Sequence, residues 1–221
     1  MSSQGITRLT CLPQVTMVYE SLAEIPEVDL VRLLLSDSHW RERILRLDGI
    51  PDGVKYFSEV ELDGLDAKGD VDILAVNPLT PHLATAVQVK RVRVSEKSFA
   101  KDGKPNKLNE ISKLNRQASL LVELGFWQVF AFVFVVVDSR VRNVGQYAFD
   151  GLTSELRTKI EQGISTEGLN ARAGCIVYEF TQPMEVHPLN TGTFFSRIVR
   201  MPTCATQSPT VTGWVTSKTC K

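Results

Sequence analysis

The segment QVFAFVFVVV at 128–137 constrains this chain more than any other, because it is apolar at odd and even positions alike. It is rich in β-branched and aromatic residues, and its longest wholly apolar stretch, 129–137, is less than half the roughly 20 residues a membrane-crossing helix requires. That combination fits a strand buried on both faces at the centre of a sheet. Just upstream, Leu108, Ile111, Leu114, Ala118, Leu121 and Gly125 recur at intervals of three and four, the pattern of a packed helix. Asn106 or Asn109 is expected to cap it. A strand reached through a helix is a crossover and lies parallel to its predecessor. The chain therefore reads as an α/β protein with a mixed central β-sheet flanked by helices.

The predecessor lies in 69–90, GDVDILAVNPLTPHLATAVQVK. Two apolar runs, 71–76 and 83–89, flank an Asn-Pro-x-x-Pro break and predict a hairpin. Alternate strand residues share a face, so Asp70 and Asp72 lie on one side of the first strand, and Gln88 and Lys90 on one side of the second. Where the register aligns them, two carboxylates, an amide and an ammonium converge.

Upstream, 55–62 (KYFSEVEL) follows the Pro51-Asp52-Gly53 turn and reads as another strand. Residues 28–47 read as one helix with Leu30, Leu34 and Ile44 along a common face and Glu42 on the edge of its apolar stripe. The element order is thus helix, three strands, helix, strand. Beyond Asp138 the sequence predicts a short helix capped by Thr153 or Ser154, a strand at 175–180 and a last one at 194–199. A single domain over 1–200 follows, with its core at 28–138 and a C-terminal elaboration at 139–200. The Thr- and Ser-rich 201–221 is expected to be a loosely held tail.

Asp72, the apolar Ile73-Leu74-Ala75-Val76 and Gln88-Val89-Lys90 on the next strand resemble the signature of the PD-(D/E)xK nuclease superfamily, in its Q-x-K form. The element order matches the core order of that superfamily, the restriction-endonuclease-like fold. The resemblance implies a Mg²⁺- or Mn²⁺-dependent nuclease, acting on DNA in restriction, repair or defence. It further implies that Asp72 is the main anionic metal ligand, that Gln88 adds a neutral carbonyl oxygen, and that Lys90 orients or deprotonates the attacking water. The superfamily commonly adds a glutamate from the helix preceding the sheet, and Glu42 is the candidate by that resemblance. Phosphodiester hydrolysis needs an activated water and neutralisation of a negatively charged transition state, which a divalent cation on carboxylate oxygens supplies. With Gln88 in place of an acid the site lacks one negative charge, and Glu59 or Asp70 are the alternates that would restore it.

Overall charge does not argue for nucleic acid, because 25 basic residues balance 25 acidic ones. Local clustering does. From Lys90 to Arg116 nine basic residues (Lys90, Arg91, Arg93, Lys97, Lys101, Lys104, Lys107, Lys113 and Arg116) face three acidic ones, and those after Lys90 are the candidate nucleic-acid-binding residues. In this stretch the apolar parity also changes, from Val87 and Val89 to Val92 and Val94, which predicts a bulge or strand exit near Arg91.

Three other readings stay open. The chain could be a catalytically degenerate nuclease-fold module that binds nucleic acid or a partner protein, for which Gln88 is the motive. The same stretch could belong to an unrelated α/β protein, which would place Asp72 and Lys90 on opposite sheet faces. The basic stretch could be a solvated loop.

Other chemistries find no support in the sequence. Cys11, Cys175, Cys204 and Cys220 show no zinc-ligand spacing and read as reduced thiols of a cytoplasmic protein. Gly64 to Gly69 has phosphate-loop spacing but continues into Asp70 and Val71 rather than Lys and Ser or Thr. No signal peptide or membrane association is expected. Many enzymes of the resembled fold act as homodimers, and no interface signal is visible here.

Overall fold

The computed structural model describes residues 24–45, 50, 53–95, 98, 105–138, 152–182 and 193–219. Its centre is the strand β4 (Gln128–Asp138), parallel to β3 (Thr85–Val94) on one side and to β5 (Gly174–Gln182) on the other. With β1 (Lys55–Glu61), β2 (Asp70–Val76) and β6 (Thr193–Arg200), these form a six-stranded mixed sheet in the order β1 to β6. The pairs β1/β2, β2/β3 and β5/β6 are antiparallel.

The double-sided apolarity of β4 has a regular meaning. Val129, Ala131, Val133, Val135 and Val137 face the layer of α3 (Ile111–Leu124), α4 (Ser154–Gly163) and α5 (Pro209–Thr219). Phe130, Phe132, Phe134 and Val136 face α1 (Glu27–Ser36) and α2 (Ser38–Leu45). Small branched residues let α3 approach the sheet on one side, while on the other the Phe132 and Phe134 rings pack 5.2 and 5.6 Å from Tyr178. The Tyr178 hydroxyl donates to Ile44 O at 2.8 Å and so fastens α2 to the sheet. Burial pushes its phenol far above the ordinary range.

Thr153 caps α4 as expected, its hydroxyl accepting from Leu156 N. Four other expectations are corrected. Residues 28–47 do not form one helix: Asp37 adopts an extended conformation (φ −91°, ψ 113°), and its carboxylate accepts from Trp40 N at 3.0 Å, so it ends α1 and starts α2. A short polar side chain that bonds forward to the backbone competes with helix continuation. There is no bulge near Arg91. The β3/β4 register runs unshifted from Thr85↔Gln128 to Val94↔Val137, and the parity change arises because Val87 and Val89 face α1 and α2 while Val92 and Val94 face α3. Neither Asn106 nor Asn109 caps α3, which is entered through a 3-10 turn at Leu108–Glu110.

Residues from 201 onward are not a loose tail, because α5 packs on the sheet through Val211, Trp214 and Val215. Gln207 accepts from Ala84 N at 3.0 Å and donates to Pro81 O at 2.9 Å, and the Trp214 indole donates to Asp63 O at 2.9 Å. These contacts close the loops on either side of β2. Trp214→Ala removes a large core side chain and is expected to cost about 3–5 kcal/mol in chemical denaturation, whereas a loose tail would tolerate it. No helix among the described residues is long and apolar enough to cross a membrane.

Candidate metal centre

The site exists because β2 and β3 part company. Their ladder runs only through Ile73↔Val87, Leu74↔Ala86 and Ala75↔Thr85. Past that point the outward amides of β3 need other acceptors. Val89 N donates to Asp72 Oδ2 at 2.6 Å, Arg91 N donates to a Glu27 carboxylate oxygen, and Arg93 N donates to Asn106 O at 3.3 Å. Two carboxylates are thereby drawn into the gap. Gln88 spans the same gap, its Nε2 donating to Asp70 O.

On the other side of β2, Glu59 interrupts β1 with a φ of 53° between the pairs Ser58↔Ile73 and Val60↔Val71. A left-handed conformation is strained for a glutamate, and such strain concentrates where side chains are held for a purpose. Here the effect is to bring Glu59 to the acids of β2: oxygens of Glu59, Asp70 and Asp72 all lie within 4.8 Å of one another. Charge is crowded accordingly. Burial first, then Glu59, Asp70 and Glu27, push the Asp72 carboxyl up to about 7 against the opposing Val89 N–H. Glu59 is raised as well, by burial and by Asp70, with Arg32 opposing. Three carboxylates gathered this closely make a hard-oxygen donor set suited to Mg²⁺ or Mn²⁺.

Lys90 follows Val89, the residue whose amide holds Asp72. It is buried on β3, with its Nζ 2.9 Å from Glu27 Oε1 and 3.6 Å from Glu110 Oε2. Glu27, in the first turn of α1 after Pro26, uses one oxygen for Lys90 and the other for Arg91 N. Val71 and Leu74 enter the same core as Ala86, Val92 and Val94 while Ile73 enters the other, so the alternation of β2 breaks at Asp72, opposite the left-handed Glu59.

Of the sequence-predicted residues, Asp72 and both alternates, Glu59 and Asp70, are brought together. Gln88 ties two strands and is placed by its backbone contact to Asp70, and Lys90 is one step removed. Glu42 is not brought in. It is exposed on α2, lining an open cavity of about 1050 Å³ together with Arg32, Tyr56 and Glu59. The helix-borne acid that reaches β3 is Glu27, one residue ahead of the segment that periodicity marks as helix. The signal that could have found it is the Pro-Glu pair, since proline and an acid both favour a helix start.

Among the basic residues, Arg91 and Arg93 are half-buried, and the Arg91 guanidinium donates to Ile25 O. Lys113 and Arg116 are exposed on α3, and Lys107 and Arg116 line a second cavity. Lys97, Lys101 and Lys104 lie outside the described residues. No protein-family model matches the chain, and no curated protein is found to match it.

Proposed function

We propose that this chain is a metal-dependent nuclease of the restriction-endonuclease-like fold that hydrolyses phosphodiester bonds, as a DNA endonuclease in restriction, repair or defence. The observation that carries the reading is the gathering of Glu59, Asp70 and Asp72 at the point where β2 and β3 separate, with Asp72 hydrogen-bonded to the amide of Val89, the residue before Lys90. Glu59, Asp70 and Asp72 would hold the cation, so the charge that Gln88 does not provide comes from β1 and from the start of β2. Mg²⁺ or Mn²⁺, when bound, supplies the positive charge that makes water more acidic and neutralises the transition state. Asp72 Oδ2 stays anchored to Val89 N, which leaves its other oxygen for the cation. Lys90, oriented by Glu27 and Glu110, donates to a phosphate oxygen or to the attacking water. Gln88 keeps the two strands at the spacing the site needs.

The test is cleavage of linear and circular DNA and of RNA with Mg²⁺, with Mn²⁺ and with chelator. Activity that requires the metal and is lost in Lys90→Ala supports the reading, and activity indifferent to both removes it. A degenerate module is the second reading, favoured by the use of Gln88 as a strand tie and by the enclosure of Lys90 between two glutamates. It expects calorimetry to find no Mg²⁺ or Mn²⁺ binding to the wild type and binding gained in Gln88→Glu.

A further inference from the structure

A cavity of about 1470 Å³ opens between the start of α3 and the end of α4. That volume exceeds the roughly 300–1,000 Å³ of small-molecule sites and suits part of a polymer. Its wall carries three cations, Lys107, Arg116 and Lys159, against one carboxylate, Glu167. Amides such as Asn109 and Gln162 add neutral hydrogen-bonding groups, and no aromatic side chain is among the described lining residues. Lysine, arginine and amide groups are the side chains that contact phosphates, whereas reading unpaired bases calls for stacking platforms.

The cleft is built into the fold. A Cβ on Gly163, the last residue of α4, would stand 2.6 Å from Leu108 Cγ, so the turn before α3 and the end of α4 meet there. Asn115 Nδ2 donates to Ser165 O at 2.8 Å and to Glu167 O at 2.9 Å and holds the opposite wall. The cleft also approaches the partner of Lys90. Asn109 lines it, and the next residue, Glu110, is the partner of Lys90 at 3.6 Å. Lys107 projects from a left-handed backbone position (φ 66°), where glycine would be less strained.

We propose that this cleft carries the sugar-phosphate backbone flanking the scissile bond and holds it through phosphates without reading bases. The proposal rests on the nuclease reading and adds to it a track that recruits Lys159 of α4, far in sequence from the basic stretch. The backbone leaves the acidic centre past Lys90 and Glu110 and enters between Lys107 and Lys159.

The test measures fluorescence anisotropy of the full chain with labelled DNA of several unrelated sequences, in Ca²⁺ and across a range of salt. Lys107→Gly and Lys159→Gln are each expected to weaken binding about 3- to 10-fold for every sequence and to lower the slope of log affinity against log salt by about one. Lys55→Gln, exposed at the start of β1 and outside the cleft lining, is expected to stay within about twofold. Lys107→Gly relieves a strained backbone, so it is expected to melt no lower than wild type, which separates lost binding from lost folding. Wild type that cleaves and binds DNA while both cleft variants bind equally well would overturn the track alone, as would a loss confined to particular sequences. Wild type that neither binds nor cleaves would overturn the nuclease reading and the track with it.

Discussion

Asp72→Asn is expected to lower metal-dependent cleavage by about a thousandfold or more while making the metal-free protein more stable at neutral pH. The first effect follows from removing the negative charge of Asp72, one of the three carboxylates proposed to hold the cation, a loss of about 4 kcal/mol or more in transition-state stabilisation. The second has a definite sign. The Asp72 carboxyl sits at about 7 in the fold against an ordinary value of 3.8. Below pH 4 it is protonated in folded and unfolded chains alike and contributes nothing. As pH rises from about 4 to 7 the unfolded chain ionises first, so folding stability falls, and above about 7 the loss is constant. Asparagine removes that pH dependence and keeps an oxygen for Val89 N. The expected gain near pH 8 is about 2–4 kcal/mol, discounted for partial exposure, by urea denaturation with chelator present. Added Mg²⁺ should stabilise the wild type and leave Asp72→Asn unchanged. A variant that is less stable at pH 8 and still cleaves would show that Asp72 is an ordinary structural acid.

Glu27→Gln is expected to reduce kcat about 10- to 100-fold with little change in KM, whereas Glu42→Gln is expected to stay within about twofold. Glu27 does not belong to the close acid group, because its two oxygens are taken by Lys90 Nζ and Arg91 N. It acts through the lysine, and groups that orient an active-site side chain typically carry effects of this size. The glutamine keeps an acceptor for one of these two donors and loses the charge that partners the ammonium. Glu110 would still hold Lys90 at 3.6 Å, so some activity should survive. Equal effects of the two substitutions, or a change in KM alone, would remove Glu27 from the catalytic arrangement. The contrast is informative because α1 and α2 carry one candidate acid each, and only the acid of α1 reaches β3.

The parts of this molecule that were legible in its sequence are those set by local period. The nine apolar residues ending at Val137 had to be a strand covered on both sides, and the structure covers them with aromatic contacts on one face and α3 on the other. The hairpin followed from two apolar runs and the break between them. What the period could not reveal depends on distant partners. Glu59 enters the site because β1 turns left-handed at that one residue, which no propensity encodes. Glu27 enters because β3 has amides with no strand beside them. The helix α5 is poor in strong helix formers, with threonines and Gly213 in its run, and it forms because Trp214 and Val211 have a core to enter. The parity change in β3 was misleading for a related reason: a strand buried on both faces carries valines at both parities without any break.

Crystals soaked in Mn²⁺ and measured near its absorption edge test the central claim most directly. The account predicts one anomalous peak between β1 and β2, about 2.2 Å from an oxygen of each of Glu59, Asp70 and Asp72. A map with no peak there, or with manganese held only by residues away from these three carboxylates, would contradict it.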